Sequence, residues 1–370
     1  MERDCESELS KLNIEQNACI YHFGASVIHG QRSNILRLLY MGRNMEDNYL
    51  KLFGNMFYNI KEDQDNKKII EEASEVLASI IIKYGELINE ITARTSAQDE
   101  FVDTVICLFL RKIMEQLDAL NILIDAGAFS PMQVIVRTLL ENTVGLEFIL
   151  KEDTRKRAAA YYLEQHYKEI ETGEKLFSRK SEKSKNAIKL LGEAQFTEDS
   201  KRFQRKKDAF QHLIDTNELF KEVADAREKA VVSKRRYWKK KKRKNINKIH
   251  IQWYEIGTNV QNFREMMREI GHEKYYEGIY GGLSYEIHAL NAARAIQAVA
   301  DGLYLQRIRN PQNGGNIFAF VCDFSLIALD KVYKYLDDDE AKRAEFKRYV
   351  MDCQKKKVHI IATMDQINIL

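Results

Sequence analysis

Apolar residues recur at intervals of three and four along much of the chain, which is the period of an amphipathic helix. The clearest stretch is 67–95, whose apolar positions are Ile69, Ile70, Ala73, Val76, Leu77, Ile80, Ile81, Tyr84, Leu87, Ile88 and Ile91. Residues 101–127 repeat the pattern from Val102 to Ile124. The periodicity therefore predicts a long helix over each of these stretches.

The same pattern continues to the end of the chain, with the strongest apolar stripes in four places. The most apolar predicted helices, which we expect to form the core, cover 101–127, 131–150, 273–307 and 316–336. More polar or shorter helices are predicted over 153–182, 198–232, 258–270 and 339–356. Only two prolines interrupt 370 residues, which favours long helices because proline breaks them. The predicted fold is all-α, a multi-helix bundle with long antiparallel helices.

The predicted elements and the local charge divide the chain into three regions. An N-terminal helical region covers 1–100 and a central helical domain covers 101–330, with a basic insertion near 234–250. A C-terminal helical tail covers 331–370.

Composition indicates a globular protein of the cytoplasm. The longest apolar stretch, 101–126, carries Arg111, Lys112, Glu115 and Asp118, so it cannot cross a bilayer cheaply and we expect no membrane association. The N-terminus lacks the pattern of a secretory signal. Five cysteines include no C-x-x-C pair, which fits a reducing compartment without a disulfide framework.

Two opposite charges interrupt the predicted helix 131–150. Arg137 and Glu141 are four residues apart, so they share one face, and the rest of the helix is apolar nearly all round. One interpretation is a structural ion pair in a seam between helices, because buried charges need partners. The other is a functional site, since desolvated charges mark pockets.

The predicted helix 273–307 carries a polar stripe formed by Tyr280, Ser284, His288 and Asn291. A histidine on such a helix is often a core residue with satisfied hydrogen bonds. Ser284 and His288, on adjacent turns, are also within reach of each other for activating a nucleophile or relaying a proton. No G-x-S-x-G elbow accompanies them, so the pair does not indicate a serine hydrolase.

R-T-L-L-E at 137–141 and Y-x-x-L-S-x-x-x-H at 280–288 occur in the same order in a known group of sequences. The chain resembles, over about residues 100–330, a family of uncharacterised bacterial helical proteins described as a domain of unknown function. The resemblance implies that Arg137, Glu141, Ser284 and His288 meet in space, and it implies no particular reaction.

A more distant similarity is to the HEPN ribonucleases, helical proteins that cut RNA without metal through an R-x(4–6)-H motif. No arginine stands at that spacing before His288, so the chain departs from the pattern there. Arg205 with His212 and Arg243 with His250 fit the spacing, but in Lys/Arg-rich stretches where a match arises easily by chance. In the catalytic hypothesis, Arg137 takes the place of the missing arginine from another helix.

Positive charge is concentrated in one segment of an otherwise acidic chain. The net charge is +3, yet ten Lys and Arg and no acid lie in 234–248, and the other residues hold 48 basic and 55 acidic side chains. This pattern is typical of binding to a phosphate backbone and to unstacked bases; the alternative is a solvated loop. The nucleic-acid-binding candidates are Lys234, Arg235, Arg236, Trp238, Lys239, Lys240, Lys241, Lys242, Arg243 and Lys244.

No metal site or cofactor is predicted. Cys19, His22 and His29 lack a second pair that would complete a zinc site, and Gly281-Gly282 follows no strand and is no phosphate loop. The leading hypothesis is a nucleic-acid-associated effector of bacterial defence or stress, acting as a metal-independent ribonuclease. In it, Arg137 stabilises phosphate charge, Glu141 orients Arg137 and His288 is the acid or base. The alternative is a non-enzymatic interaction module, with a protein partner or a second copy of the chain, whose polar network fixes helix register.

Overall fold

The computed structural model describes nine stretches of the chain: residues 64–95, 100–178, 181–241, 249–283, 296–299, 302–305, 308–309, 314–336 and 340–366. The predicted all-α, multi-helix class is confirmed. No helix formed by the described residues is both long and apolar enough to span a bilayer.

Most described residues are helical, in eleven helices. In chain order these are α1 (Gln64–Arg94), α2 (Glu100–Asp125), α3 (Phe129–Lys151), α4 (Thr154–Phe177), α5 (Glu182–Leu191), α6 (Glu193–Thr216), α7 (Glu218–Lys240), α8 (Phe263–Glu269), α9 (Glu273–Tyr275), α10 (Gly314–Leu336) and α11 (Glu340–Met364). A 3₁₀ turn (Trp253–Glu255) precedes α8, and a π-helical turn (Tyr276–Tyr280) continues α9. The predicted helices at 67–95, 101–127, 131–150 and 316–336 therefore exist, and their ends differ from the predicted ones by at most three residues.

The chain forms two compact units. The first contains the described residues of Met1–Ser96, Cys107–Glu147 and Ile270–Leu370, and the second contains those of Ala97–Ile106 and Phe148–Glu269.

Helices α1, α10 and α11 pack against one another in the first unit. Their contacts bury large side chains, among them Leu77, Ile80, Tyr84, Phe318, Val321 and Ile360. Two polar contacts are enclosed with them. The Tyr84 hydroxyl donates to the Ser325 carbonyl at 2.8 Å, and Lys357 is 2.6 Å from Asp323. Because both polar pairs are satisfied, their burial carries little penalty.

In the second unit, α4 packs against α5, α6 and α7. The break between α6 and α7 comes from Asn217, whose side chain accepts hydrogen bonds from the first backbone N–H groups of α7, as a helix N-cap does. A buried arginine, Arg157, donates to the Phe148 carbonyl and to the carboxylates of Glu152 and Glu269. That ion cluster ties the start of α4 to the end of α8.

The predicted helix 273–307 is wrong in its C-terminal part. The described residues are helical only to residue 283, and Ile296–Val299 (β1) and Gly302–Leu305 (β2) form an antiparallel pair. Ile296 pairs with Leu305 and Val299 with Gly302. The alanines near 296 favour helix in isolation, and the strand pairing of β-branched and aromatic residues overrides that preference.

Candidate functional site

Besides Lys151 at its end, helix α3 carries three charged side chains among buried apolar residues. Arg137 is 19% exposed and Glu141 is 39% exposed, whereas Glu147 is only 2% exposed. The two carboxylates are six residues apart, or about 9 Å along the helix axis. All three side chains make contacts with residues 272–280 or with α10 of the same unit, so α3 has two polar clusters in succession.

The first cluster, called the outer cluster here, consists of Arg137, Glu141 and Tyr280. The Tyr280 hydroxyl accepts a hydrogen bond from Arg137 Nη2 at 2.8 Å and donates one to Glu141 Oε1 at 2.9 Å. Arg137 Nε lies 3.3 Å from the same carboxylate oxygen, and the guanidinium carbon is 4.5 Å from the centre of the Tyr280 ring. Each of the three groups therefore binds both of the others.

Electrostatics keep these groups in the forms that bind one another. Burial, followed by the negative charge of Glu141, raises the pKa of Tyr280 above its ordinary value, so the phenol keeps its proton. Burial alone would lower the pKa of Arg137, but the hydrogen bonds to Tyr280 and Glu141 outweigh it and the pKa is raised. The cluster is thus an arginine cation held between a carboxylate and a neutral phenol.

The position of Tyr280 depends on the π-helical turn Tyr276–Tyr280. A π turn inserts one extra residue into a helix and rotates the residues that follow, and such turns are frequent at functional sites. Here Tyr276 and Tyr280 stack with ring centres 5.1 Å apart. Sequence reasoning placed Tyr280 on the polar stripe with Ser284 and His288, but it did not name it as the partner of Arg137.

Ser284 and His288 lie outside the described residues, as does Asn291. Of the predicted stripe, the structure describes Tyr280, which contacts both Arg137 and Glu141. Within the described ranges, no group of three His, Cys, Asp or Glu side chains is arranged to hold a metal ion.

The second cluster, called the inner cluster, consists of Glu147, His272 and Lys331. His272 Nε2 lies 3.1 and 3.2 Å from the two carboxylate oxygens of Glu147, and Lys331 Nζ is 3.6 Å away. Gly271, at a φ of +85° that favours glycine, makes the turn that brings His272 to α3.

Sequence reasoning missed the inner cluster because it counted only two charges on this helix. The signal was present: Glu147 stands between Leu146 and Phe148 in an apolar run, where a carboxylate requires a partner. The partner itself, 125 residues away, could not be read from spacing.

The basic segment is partly helical, since α7 continues through Lys240. Arg235, Arg236, Lys239, Lys240 and Lys241 are exposed, and none of them forms an ion pair within the described residues; we call these five residues the basic helix end. Spacings of four place Arg235 above Lys239 and Arg236 above Lys240, in two adjacent rows.

The aromatic residues of the segment differ in exposure. Tyr237, which follows Arg236 on the helix, is 55% exposed, and Trp238 is half-buried.

Lys234 has a different role from the cations that follow it. Its ammonium is 2.6 and 2.8 Å from the oxygens of Glu255, whose side chain is 4% exposed, and it also donates to the His250 carbonyl. The exposed basic surface therefore begins at Arg235. Lys242, Arg243 and Lys244 lie outside the described residues.

These features define a helical protein with two polar clusters on one helix and a basic end on another. Residues 103–297 match a family of unknown function (DUF5677), and since this is more than half of the chain, the chain belongs to that family. The resemblance to a helical domain of unknown function is thereby confirmed at the level of a family. Searches of characterised proteins and of solved structures find no match to the chain.

Proposed function

We propose that this protein is a nucleic-acid-associated effector that binds single-stranded RNA through the basic helix end. The observation that carries the proposal is the set of five exposed cations at the C-terminal end of α7 and directly after it. They have no carboxylate partner among the described residues and lie beside the exposed ring of Tyr237. Cations in rows suit a phosphate backbone, and an exposed aromatic ring suits an unstacked base. A solvated surface would need no such ring.

The test is RNA binding by fluorescence anisotropy at several salt concentrations. Changing Arg235, Arg236, Lys239 and Lys240 to glutamine should weaken binding and lower the slope of log affinity against log salt by up to about 3, since each contact to a single strand contributes about 0.7. The matched control makes the same four-charge change at exposed positions of α11, namely Lys347, Arg348, Lys355 and Lys356. Equal losses in both variants would mean that only net charge matters and would contradict the proposal.

The proposal extends to metal-independent cleavage of the bound RNA, with Arg137 and Glu141 in the site and His288 as acid or base. It is supported by the partly exposed guanidinium of Arg137, which Glu141 and Tyr280 hold in one orientation. An oriented arginine can stabilise charge that develops on a phosphate. The proposed role in bacterial defence or stress rests only on the resemblance to helical ribonucleases.

An RNA-integrity assay in the presence of a chelator tests this extension. Wild-type protein should cut RNA, whereas Arg137→Ala and His288→Ala should leave it intact. Intact RNA with wild-type protein would remove the nuclease from the proposal and would leave RNA binding to be judged by anisotropy.

A second candidate function is a non-enzymatic interaction module, and one observation favours it. In the outer cluster each group binds both of the others, which is what a network that fixes helix register requires. Under this proposal Arg137→Ala should lower the melting temperature sharply, because it removes the cation that Glu141 and Tyr280 both bind. An unchanged melting temperature would count against the register role.

A further inference from the structure

The inner cluster pairs a buried carboxylate with a histidine that is only partly covered. Glu147 is 2% exposed, whereas the His272 side chain is 20% exposed and that of Lys331 is 40% exposed. The charged groups therefore extend from the buried face of α3 to the protein surface. A buried carboxylate behind a partly exposed imidazole is the arrangement that orients histidine bases in enzymes.

The hydrogen bond to Glu147 determines which nitrogen of His272 is free to react. A carboxylate can only accept, so the proton of this hydrogen bond lies on Nε2 of the imidazole. In the neutral ring, Nδ1 then carries a lone pair and no proton. Nδ1 makes no hydrogen bond within the described residues, which leaves it available as a proton acceptor.

His272 lies close to the outer cluster. Glu147 contacts His272 and Glu141 contacts Tyr280, so rising numbers on α3 meet falling numbers on the facing segment and the two run antiparallel. The inner and outer clusters are therefore about 9 Å apart along one helix pair. Each cluster therefore offers one cation, Arg137 or Lys331, beside the carboxylate that it contacts.

We propose that His272 is a general base for RNA cleavage, oriented by the buried carboxylate of Glu147. The inference rests on the proposed action on RNA and adds a catalytic residue to it. Cleavage needs one group to take a proton and another to return one to the leaving oxygen. His272 is the group that takes the proton, and His288 is the candidate for the group that returns one.

The reaction balances without metal or redox partner. Nδ1 of His272 accepts the proton of a ribose 2′-hydroxyl, and the 2′-oxygen forms a bond to the adjacent phosphorus. The bond from phosphorus to the 5′-oxygen breaks, and that oxygen takes a proton from an acid or from water. The products are a 2′,3′-cyclic phosphate and a 5′-hydroxyl, and the imidazolium then returns its proton to solvent.

The decisive variant is His272→Gln, in which the amide N–H can keep the hydrogen bond to Glu147 without a second basic nitrogen. Loss of a general base costs about 100-fold or more in rate. We therefore expect His272→Gln to cut a short oligoribonucleotide at least about 100-fold more slowly in the presence of a chelator. Its RNA affinity and melting temperature should match those of the wild type.

Controls separate the chemistry from binding and folding. His359→Gln removes a histidine that is 68% exposed on α11 and should leave the rate unchanged. An oligodeoxyribonucleotide of the same sequence lacks the 2′-hydroxyl and should not be cut. Should His272→Gln melt early, His272→Asn is the second variant, and rates are compared per folded molecule as measured by circular dichroism.

The possible outcomes are distinct. A wild-type rate for the folded His272→Gln protein would overturn the inference, reduce His272 to a structural partner of Glu147 and leave the proposed nuclease standing. Uncut RNA with wild-type protein would overturn the inference and the nuclease together, while anisotropy would still show whether RNA binding holds. A slow His272→Gln protein with a cyclic-phosphate product in the wild type would support the inference.

Discussion

The outer and inner clusters lie on the same helix and face the same segment, yet they differ in burial and in chemistry. In the outer cluster, Glu141 is 39% exposed, so its carboxylate contacts water as well as Arg137 and Tyr280. In the inner cluster, Glu147 is 2% exposed and depends on His272 and Lys331 for its partners. Both contain a carboxylate and a cation, so they differ in how much stability the protein would lose if one partner were removed.

That difference indicates which cluster can change its partners without unfolding. A half-exposed carboxylate regains water when a partner leaves, so the penalty is small. A buried carboxylate regains almost none, and the penalty is several kcal/mol. The outer cluster is therefore free to exchange contacts with a ligand, whereas the inner cluster must keep a hydrogen-bond donor at His272 at all times.

The largest expected effect is that of His272→Ala. Among the described residues, this change leaves the buried carboxylate of Glu147 with Lys331 at 3.6 Å, and we expect a loss of about 3 kcal/mol in the free energy of unfolding. Urea denaturation followed by circular dichroism measures it. His272→Gln, which keeps a donor, is the matched control and should lose much less; equal losses in the two variants would contradict the role given to the hydrogen bond.

The next effect is a loss of stability at high pH that comes from Tyr275, beside the inner cluster. Burial, followed by the charges of Asp323 and Glu147, raises the pKa of Tyr275 from its ordinary value to about 12. The folded state therefore holds the phenol proton more tightly than the unfolded state. This contribution is fully present below pH 10 and is lost as pH rises towards 12.

The size of that loss follows from the shift. Two pKa units correspond to about 2 kcal/mol by pH 12. Tyr275→Phe should flatten the fall in stability between pH 10 and 12, as measured by denaturation at stepwise pH. Tyr280→Phe, at the outer cluster, should flatten it less because Tyr280 is less buried; the reverse order would mean that the two clusters do not differ in burial as described.

The third effect concerns the outer cluster itself. Tyr280→Phe keeps the ring over Arg137 and removes only the hydroxyl, which is hydrogen-bonded to Arg137 and Glu141. We expect a loss of about 1 kcal/mol, the net worth of such bonds when the groups left behind can reach water. Urea denaturation of Tyr280→Phe, Arg137→Ala and the double variant should show non-additive losses; strictly additive losses would mean that the three groups do not act as one network.

The same two clusters show how much of the site can be predicted from the sequence. Arg137 and Glu141 could be identified because a spacing of four places them on one helix face, and the existence of α3 followed from apolar periodicity. Their partner Tyr280 could be placed on a polar stripe but not matched to them, because the π-helical turn that sets its direction has no sequence signature. His272 could not be found at all, because its contact with Glu147 spans 125 residues.

The fold shows the same limit. Long helices with strong stripes were predicted to within a few residues, since their periodicity is a local property. The strands at 296–299 and 302–305 were predicted as helix because their pairing is decided by partner residues rather than by local preference. The helical course of α7 through Lys240 escaped prediction, because a dense run of cations resembles a solvated loop until Lys234 is seen to bind Glu255.

The smallest effect is expected at Lys331, and it tests whether the inner cluster is a pair or a triad. Lys331 is 40% exposed and its ammonium is 3.6 Å from Glu147, beyond hydrogen-bond distance. A half-exposed ammonium without a hydrogen bond to the carboxylate contributes little, so Lys331→Met should lower the free energy of unfolding by about 0.5 kcal/mol or less. Urea denaturation can be compared with that of Lys334→Met, one turn later on α10, where the pair with Asp330 is wholly at the surface. A loss of stability as large as that of His272→Ala would mean that Lys331 rather than His272 stabilises Glu147. His272 would then have no structural role.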